Sequence, residues 1–339
     1  MKRKPLVSII ILNYNGKNHL DNCLATLNKE NYPAKEIIVF DNGSSDGSGD
    51  LVKRKYPHVK LFLSKTDLGF CGGNNLAYTK SHGKYVLLLN NDTVVTKNFL
   101  YPLVEALEKN TQIGIVQPKI VFLLSKRLQS GAAFFTQTGF LYYFGYGQNP
   151  SLAKYNLPIR MYSANGSCML IRRSVIDKVG LFDESFFSYF EETDFCHRAQ
   201  LAGYEIYYEP RGMIFHIGSV DNKQHKRAEI QYNSFRNKIT SYLKNLEIRT
   251  ILTVLPIHFS FIFVSFLTYL LLGKPDVSLA IANALFYNLR SLPNILTKRR
   301  TIQTKMRSLK DKEFLPHVTK NPRWDYYLRL LNGLKGYRD

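Results

Sequence analysis

Four short apolar runs within the first ninety residues constrain the fold of this chain most strongly. They are rich in β-branched and other apolar residues, and they cover 6–12, 36–40, 59–63 and 85–89. Continuous apolar runs of this length are typical of strands that are covered on both faces. Because helical patterns lie between them, the runs predict parallel strands joined by right-handed crossovers, and hence an α/β fold.

Two helices are predicted between these strands. The first follows the first strand and carries leucines at helical spacing, and we expect Asn18 to cap it. The second is predicted near 74–81, after the glycine-rich sequence 69–73. Strands and helices therefore alternate through the first part of the chain.

Polar side chains stand where three of the predicted strands end. Asn13, Asp41 and Asp92 follow strands of the buried type. Asn and Asp often end strands because they form turns, so one such residue alone would mean little. Three of them are expected at the same edge, and ligands of open α/β sheets bind outside the carboxyl ends of the strands. The sequence therefore predicts a ligand site at this edge.

An acidic cluster begins a later predicted helix. Glu191, Glu192 and Asp194 fall in its first turn, and Gly203 is expected to stop it. Acidic side chains at this position stabilise a helix through its dipole, and Asp194 can also pair with Arg198 one turn later. The local pattern alone leaves both a structural and a catalytic role open.

The chain is strongly basic, with 46 Lys and Arg residues against 26 Asp and Glu and a net charge of +20. Such an excess of positive charge predicts an anionic partner, such as nucleic acid, a phosphorylated ligand or an acidic membrane surface. Half of the net charge falls within residues 241–339. The four cysteines form no CxxC pair, which argues against a zinc module and a disulfide scaffold and suits a reducing compartment.

The most apolar part of the sequence lies in this basic region. Residues 251–272 contain no charged side chain and are long enough to cross a membrane as a helix. A weaker apolar segment follows at 277–296, and seven basic residues lie within 298–312. This pattern predicts a membrane-associated tail with its cations on the cytoplasmic side. Pro256 and His258 leave a buried core helix as the alternative.

The chain is thus expected to have three parts. Residues 1–245 would form the α/β domain, 246–300 an apolar helical membrane-associated segment, and 301–339 a basic C-terminal tail. Lys274 and Arg290 make a complete double crossing of the membrane costly. A peripheral or re-entrant placement is therefore favoured over a hairpin anchor.

Five segments of the chain, in this order, resemble glycosyltransferase family 2. They are 7–15, 40–48, 68–75, 88–92 and 189–198. Each motif is weak alone, but together they cover roughly residues 5–220 and most resemble the rhamnosyltransferase-like branch. The resemblance implies a GT-A fold, with a mixed, mainly parallel sheet flanked by helices. It also implies an inverting sugar transfer from a nucleotide-diphosphate donor.

The resemblance implies a divalent cation, Mg²⁺ or Mn²⁺, next to the donor diphosphate. Asp92 and His216 are the implied ligands, although a lone histidine in an apolar run is by itself more often structural. Hard cations prefer carboxylate, imidazole and water, and a cation neutralises the charge that builds on the leaving group. Asn90 stands where the family usually has the first Asp of its Asp-x-Asp motif, so we expect it to contact ribose or a bound water.

Further residues around the two substrates are implied in the same way. Asp41 is expected to accept the ring N–H of a pyrimidine base. Glu192 is the implied general base, and we expect the helix N-terminus to keep it ionised, with Glu191 and Asp194 as second candidates or supports. The implied donor-binding residues are Asn13, Asn15, Asp41, Asn42, Gly69, Asn74, Asn90 and Asn91, and those on the acceptor side are Asn165 and Gly166.

The expected substrates are a UDP- or dTDP-sugar, with rhamnose as one candidate, and a cell-surface glycan or a polyprenyl-diphosphate-linked acceptor. Because sugar nucleotides are made in the cytoplasm, the expected location is the cytoplasmic face of the membrane.

The sequence also suggests functions other than sugar transfer. A nucleic-acid-binding protein is suggested by the net charge, and a catalytically inactive GT-A scaffold by Asn90. The basic residues cluster beside the apolar tail and no nucleic-acid-binding motif is present, so we expect no nucleic acid partner. A nucleotidyltransferase is disfavoured because the sequence Asn13–Gly16 lacks the Arg and Lys that such enzymes use to hold a triphosphate.

Overall fold

A mixed sheet of ten strands forms the centre of the molecule. The computed structural model describes residues 4–218 and 224–330 of the 339-residue chain. In chain order the strands are β1 (Val7–Asn13), β2 (Lys35–Asp41), β3 (Lys60–Leu63), β4 (Tyr85–Asn90), β5 (Thr93–Val95), β6 (Ile113–Phe122), β7 (Leu128–Ser130), β8 (Ala132–Phe134), β9 (Tyr142–Phe144), β10 (Ile159–Arg160), β11 (Cys168–Arg172) and β12 (Glu205–His216). Across the sheet the order is β10, β12, β6, β11, β4, β1, β2 and β3, while β5 pairs with β12, β7 pairs with β6, and β8 and β9 form a separate sheet.

Helices flank this sheet and continue beyond it. They are α1 (Lys17–Leu27), α2 (Ser48–Lys55), α3 (Gly69–Tyr78), α4 (Leu100–Lys109), α5 (Arg173–Val179), α6 (Glu191–Leu201), α7 (Gln224–Asn245), α8 (Ile248–Leu271), α9 (Pro275–Arg290), α10 (Leu292–Thr301), α11 (Asp311–Val318) and α12 (Trp324–Leu330). A π-helical turn, Ile302–Met306, follows α10. The mixed, mainly parallel sheet with its flanking helices and C-terminal helical region confirms the predicted fold class.

Strand β1 illustrates why the apolar runs are continuous. It lies parallel between β2 and β4, so its backbone is paired on both edges. Ile9 and Ile11 belong to the buried cluster that includes Leu20 of α1, whereas Ile10 belongs to the cluster that includes Ala77 of α3. Successive side chains of a strand point to opposite faces, and here both faces are covered by helices.

The first helix is not capped as predicted. Helix α1 begins at Lys17 with Gly16 in the N-cap position, so Asn18 lies inside the helix. A side chain at position 16 would collide with the amide of Asn91, and this close approach explains the glycine.

Helix α3 corresponds to the second predicted helix. It begins earlier than predicted, at Gly69 instead of near Asn74. Its glycine-rich first turns pack closely on the sheet, since a Cβ at Gly73 would overlap the side chain of Leu12. Glycine therefore serves here to bring a helix close to a strand, although it generally disfavours helix formation.

The second half of the sheet brings the end of β12 close to the end of β4. Strand β11 is antiparallel to both β4 and β6, and β12 returns parallel to β6. The last residues of β12 pair with β5, which places His216 opposite Thr93. The residue before β5 is Asp92, so the chain reversal after β4 sets this carboxylate beside His216.

The C-terminal helices pack against the sheet domain and against one another. Helix α7 contacts α6, α9 and α10, and α8 contacts α9. Residues beyond 301 also reach the domain, because Phe135 N–H donates to the carbonyl of Val318 in α11. The predicted division into 1–245, 246–300 and 301–339 stays a prediction, and 331–339 lie outside the described residues.

The weaker apolar segment predicted at 277–296 is divided between two helices. Helix α9 ends at Arg290, and α10 begins after Ser291 with Pro293 in its first turn. Proline has no backbone N–H. In the first turn of a helix this N–H has no partner within the helix, so proline is tolerated there, whereas inside a continuous helix it would remove a hydrogen bond.

Helix α8 is, within the described ranges, the one helix long and apolar enough to cross a membrane. Only 28% of its most apolar window is buried. Phe263, Val264 and Leu271 are among its exposed side chains. The alternative of a buried core helix therefore does not describe α8, although its inner face does pack against the protein.

Candidate functional site

The ends of β1, β2 and β4 bring their polar residues together, as the sequence predicts. Asn13 Nδ2 donates to Asp41 Oδ2 over 3.0 Å, and Asn91 Nδ2 donates to Asn13 Oδ1 over 2.8 Å. Asn13 and Asp41 are also direct neighbours in the register of β1 and β2. Both side chains are buried and hydrogen-bonded to each other, so their orientations are fixed.

Asn15 connects the loop after β1 to the loop after β2. Its backbone N–H donates to Ser44 Oγ over 2.9 Å, and its Oδ1 accepts from the N–H of Ser45 over 2.8 Å. Asn15 has a φ of +47°, a conformation that asparagine tolerates better than most residues. The two loops are thus held as one surface, with the Asn15 side chain exposed on it.

Asn42 holds the loop that leads into α3. Its Oδ1 accepts from the N–H of Leu68 over 3.1 Å, and its Nδ2 donates to the carbonyl of Gly69 over 3.3 Å. Asn74 is buried and donates to the carbonyl of Phe70 one turn earlier in α3. Asn42, Gly69 and Asn74 therefore lie at the predicted edge, but the described contacts of the two asparagines position protein segments.

Asp92 and His216 form a close pair at this edge. His216 Nε2 lies 3.0 Å from Asp92 Oδ1, and His216 Nδ1 lies 2.8 Å from Gln129 Oε1. Burial by itself raises the pKa of Asp92, but the hydrogen bond and charge of His216 outweigh it, so the pKa lies below its usual value. The carboxylate is therefore ionised at neutral pH, which is the form that binds a cation.

The donor set of this pair fits a hard divalent cation. One carboxylate and one imidazole, with the far imidazole nitrogen hydrogen-bonded to a second residue, are typical of such sites. Within residues 4–218 and 224–330, no group of three or more His, Cys, Asp or Glu side chains is placed to hold a metal. Asp92 and His216 would therefore need ligands from a substrate or from water.

The backbone of Asn90 forms hydrogen bonds to two neighbouring segments. Its N–H donates to the carbonyl of Ser167 over 3.0 Å, and its carbonyl accepts from Thr93 Oγ1 over 2.8 Å. The turn containing Asn165 and Gly166 precedes this contact, and Asn165 Oδ1 accepts from the N–H of Ser167 over 2.9 Å. The predicted acceptor segment therefore lies beside the end of β4.

Gly166 lies against the predicted base. A Cβ built on Gly166 would be 3.6 Å from the Cβ of Glu192, an ordinary contact. Asn165 and Glu192 line one cavity of about 310 Å³ together with Gln129 and Tyr143. Gln129 also contacts His216, so one residue that lines the cavity of Glu192 is hydrogen-bonded to the Asp92–His216 pair.

The two adjacent glutamates differ in their surroundings. Glu191 is buried, and its Oε2 is buried with no hydrogen-bond partner among the described residues. Burial and the neighbouring charge of Glu192 raise the pKa of Glu191 well above its usual value. Its surroundings therefore favour the protonated form of Glu191, and of the two glutamates Glu192 is the one that lines the cavity.

Glu192 is less strongly ionised than the sequence predicts. Burial raises its pKa to about 7, and the backbone hydrogen bonds at the start of α6 offset only part of this effect. The helix N-terminus therefore keeps this carboxylate only partly ionised near neutral pH. A pKa close to the working pH is nevertheless the value that suits a general base.

Both carboxylate oxygens of Asp194 contact other residues of the protein. Its Oδ1 accepts from Ser241 Oγ and Asn245 Nδ2, each over 2.8 Å, and its Oδ2 lies 2.9 Å from Arg198 Nε and 3.1 Å from Lys244 Nζ. The predicted pairing with Arg198 is thus present. These contacts fix α6 to α7 and suit a supporting residue.

The segment that leads into α6 has a strained backbone. Phe187, Tyr189 and Phe190 all have φ values between +59° and +71°, which are unfavourable for aromatic residues. Asn237 Nδ2, on α7, donates to the carbonyls of Phe186, Ser188 and Tyr189 over 3.1, 2.9 and 2.7 Å. The strain therefore lies directly before Glu191 and Glu192, and Asn237 is one of the groups that hold this segment, together with Arg236, which donates to the carbonyl of Phe186 over 2.8 Å.

Two residues that border this site were not predicted. Gln129 lies on the three-residue strand β7, and Asn237 lies on a mostly polar helix. Neither carries a local signal, because each acts on segments distant in the chain. Only a pairing of β7 with β6 and of α7 with α6 brings them to the site.

Comparison with known proteins identifies the family of the chain. The sequence model of glycosyl transferase family 2 matches residues 8–180. The low-salt glycan biosynthesis hexosyltransferase Agl10 of Haloferax volcanii is 28% identical over 243 residues, which cover 68% of this chain and 74% of that protein. The N-acetylglucosaminyl-diphospho-decaprenol L-rhamnosyltransferase of Mycobacterium tuberculosis is 25% identical over 238 residues, which cover 62% of this chain and 76% of that protein.

Solved structures share the fold at lower identity. A mannosyltransferase from Pyrobaculum calidifontis, in complex with GDP-Man and Mn²⁺, has a TM-score of 0.54 at 16% identity over 90% of this chain and 82% of that chain. GalNAc-T7 with UDP, GalNAc and Mn²⁺ has a TM-score of 0.59 at 16% identity over 72% of this chain, which spans only 48% of that protein. These structures establish the GT-A fold, and the family match, which spans just over half of the chain, places the protein in glycosyltransferase family 2.

Proposed function

We propose that this protein is an inverting glycosyltransferase that transfers a sugar from a UDP- or dTDP-sugar, with rhamnose as one candidate, to a cell-surface glycan or lipid-linked acceptor. The observation that carries the proposal is Gln129, which lines the same cavity as Glu192 and is hydrogen-bonded to His216 of the Asp92–His216 pair. An inverting transfer requires a stabilised diphosphate on one side of the sugar and a base on the other. The printed functions of two relatives, a hexosyltransferase and a rhamnosyltransferase, support the reaction class.

The donor nucleotide is proposed to lie on the surface formed by the ends of β1, β2 and β4. Asp41 retains acceptor capacity for the ring N–H of a pyrimidine, since it is held from its other sides by Asn13 and the N–H of Ser44. The exposed side chain of Asn15 and the amides of Asn90 and Asn91 lie at the same edge and would contact ribose or phosphate. Asn42, Gly69 and Asn74 would maintain the shape of this surface.

Asp92 and His216 are proposed to hold Mg²⁺ or Mn²⁺. The metal would neutralise the negative charge that develops on the departing nucleoside diphosphate. Gln129 Oε1 is placed to accept the Nδ1 proton of His216, which leaves the lone pair of Nε2 available for the metal.

Glu192 is proposed to remove the proton from the acceptor hydroxyl. Its carboxylate would accept this proton as the oxygen attacks the anomeric carbon from the face opposite the diphosphate, so the configuration inverts. Glu191, which is buried beside it, would position Glu192, and Asp194 would fix α6 to α7. Gly166 leaves room beside Glu192, and Asn165 borders the same cavity, so both are placed on the acceptor side.

The membrane is proposed as the place of action. Helix α8 exposes apolar side chains, and basic residues 298–312 follow in sequence, which suits a helix on or in an anionic cytoplasmic leaflet. The Mycobacterium tuberculosis relative is named for a decaprenol-linked acceptor, and a lipid-linked acceptor would require such a location.

A donor screen tests the proposal most directly. Purified full-length protein is incubated with UDP-, dTDP- and GDP-sugars, Mg²⁺ or Mn²⁺ and a membrane extract, and products are identified by mass spectrometry. We expect release of one pyrimidine nucleoside diphosphate and a matching mass gain on a lipid-linked glycan. The absence of any turnover would favour the inactive scaffold that Asn90, in the place of the usual Asp, leaves as the second candidate.

A further inference from the structure

A second cavity lies next to the one that contains Glu192. It has a volume of about 240 Å³ and is lined by residues that include Phe140, Phe190, Phe235, Lys238, Phe261 and Ser265. Leu141 and Tyr143 line both cavities, so the two are separated by shared walls. Any molecule held in the second cavity would therefore lie close to the proposed base.

Lys238 is the one lysine that lines this cavity, and it is unusually placed for a lysine. Its side chain is buried, with 7% of the residue exposed. The ammonium lies over three aromatic rings, 4.2 Å from the centre of Phe140, 5.7 Å from Phe190 and 5.8 Å from Phe235. Cation–π contacts of this kind stabilise a buried ammonium only in part.

This ammonium has no described anionic partner. Within residues 4–218 and 224–330, Lys238 makes no ion pair with a carboxylate and no hydrogen bond, whereas the similarly buried Lys244 contacts both Asp183 and Asp194. Burial alone lowers the pKa of Lys238 to about 7. A bound anion would restore the protonated form that burial disfavours, so Lys238 is placed to pair with an anion in this cavity.

The walls of the cavity indicate what kind of anion fits. Apart from Lys238 and a few polar groups they are aromatic and aliphatic, and Phe261 and Ser265 belong to α8, the apolar helix with an exposed outer face. A fully hydrated anion such as free phosphate would gain little from such walls. An anionic head group attached to a hydrocarbon chain matches both the lysine and its surroundings.

We propose that this cavity binds the phosphate-bearing end of a lipid-linked acceptor, with Lys238 contacting the phosphate and the aromatic walls contacting the first part of the hydrocarbon chain. The sugar that follows the phosphate would then extend past Leu141 and Tyr143 into the cavity of Glu192. This inference rests on the proposed function and identifies the chemical class of its acceptor as an isoprenoid-type lipid phosphate or diphosphate.

Binding of farnesyl diphosphate to the full-length protein tests this inference. The titration is done in detergent with a chelator, so that diphosphate binding through a metal at Asp92 and His216 is excluded. We expect farnesyl diphosphate to bind at least about 10-fold more tightly than either inorganic diphosphate or farnesol, because only it combines head and chain. Equal affinity for inorganic diphosphate would identify a small-anion site and overturn the proposal.

Variants locate the binding. Lys238→Met should weaken farnesyl diphosphate binding about 10- to 100-fold, as expected for the loss of a charge-assisted contact. Lys320→Met is the matched control, since Lys320 lies 4.2 Å from the ring centre of Phe134 but is exposed and outside the cavity. Unchanged binding by a folded Lys238→Met protein would overturn the proposal.

A second variant decides the question if Lys238→Met fails to fold. Ser265→Phe introduces a bulky side chain into the cavity from α8 without altering its charge, and it should also weaken binding at least about 10-fold if the chain occupies this space. Undiminished binding would overturn the proposal. Metal-dependent release of nucleoside diphosphate by the wild-type protein is measured separately, because its absence contradicts the proposed function and leaves the binding result intact.

Discussion

His216 Nε2 lies 3.0 Å from Asp92 Oδ1, although the two residues are separated by more than 120 positions in the chain. The contact is produced by the pairing of β12 with β5, which directly follows Asp92. A carboxylate at the end of one strand and an imidazole at the end of another thus meet because of sheet register. The first two predictions concern this pair and its support.

Asp92→Ala should reduce sugar transfer at least about 10³-fold, because the loss of a metal carboxylate removes several kcal/mol of leaving-group stabilisation. Mn²⁺ affinity, measured by calorimetry, should fall in parallel, while the melting temperature changes little. Asp50→Ala, at an exposed acid in α2, is the control. Undiminished transfer by the Asp92 variant in the presence of a chelator would contradict the metal assignment.

Gln129→Leu should weaken metal binding about 10- to 100-fold by releasing His216 Nδ1. Saturating Mn²⁺ should restore much of kcat, and Gln129→Glu should restore the affinity because a carboxylate also accepts the Nδ1 proton. A loss of activity that neither added metal nor Gln129→Glu repairs would instead indicate a purely structural role for Gln129.

Glu192→Gln should lower the transfer rate about 10²- to 10⁴-fold with donor affinity nearly unchanged, because only the proton-accepting role is lost. Glu191→Gln should remain active, since a glutamine amide resembles the neutral acid that burial imposes on Glu191. Initial rates of both variants provide the comparison. If Glu191→Gln is inactive and Glu192→Gln active, the base is one residue earlier than proposed.

The pH profile gives an independent test of the same assignment. Because a base acts in its deprotonated form and burial raises the pKa of Glu192 to about 7, kcat/KM should rise between roughly pH 6 and pH 8. The residual activity of Glu192→Gln should lack this rise. A profile that is flat over this interval in the wild-type enzyme would remove Glu192 from consideration.

Asn237→Ala should lower both the melting temperature and kcat while leaving the KM for the donor close to its original value. The substitution removes one donor from the carbonyls of Phe186, Ser188 and Tyr189, and Phe186 keeps Arg236 as a donor, so we expect a loss of about 1–3 kcal/mol. Asn233→Ala, one turn earlier on α7, is the control. A normal kcat in Asn237→Ala would show that the strained segment does not need this amide.

Phe263→Lys combined with Leu271→Lys should release the protein from membranes, because both side chains are on the exposed face of α8 and a lysine costs several kcal/mol within a bilayer. Flotation with anionic lipid vesicles measures the bound fraction. Leu124→Lys, at an exposed leucine of the sheet domain, is the control. Wild-type protein that stays soluble at low salt without detergent would contradict membrane association.

The rim of the site was predictable from the sequence because it depends on local order. Asn13, Asp41 and Asp92 each end a strand, and parallel strands necessarily bring such ends to one edge. The order of the strands along the chain and the family resemblance can both be recognised without knowing which distant residues are in contact. Acidic residues at the start of α6 were recognisable for the same reason.

Other features depend on contacts that no local pattern encodes. The N-cap at Gly16 follows from the position of Asn91, and the early start of α3 follows from the packing of Gly73 on Leu12. Burial raises the pKa of Glu192 to about 7, an effect that the helix-dipole argument does not include. Gln129 was missed because a strand of three residues has no recognisable periodicity.

The fixation of α6 to α7 by Asp194 also sets a length scale for the acceptor. Only Leu246 and Glu247 separate α7 from α8, so there is little slack between the helix that carries Glu192 and the helix proposed to rest on the bilayer. The height of Glu192 above the lipid surface would then be constant. If α8 rests on the bilayer as proposed, a fixed height would favour acceptors whose terminal hydroxyl lies at that distance from the lipid surface.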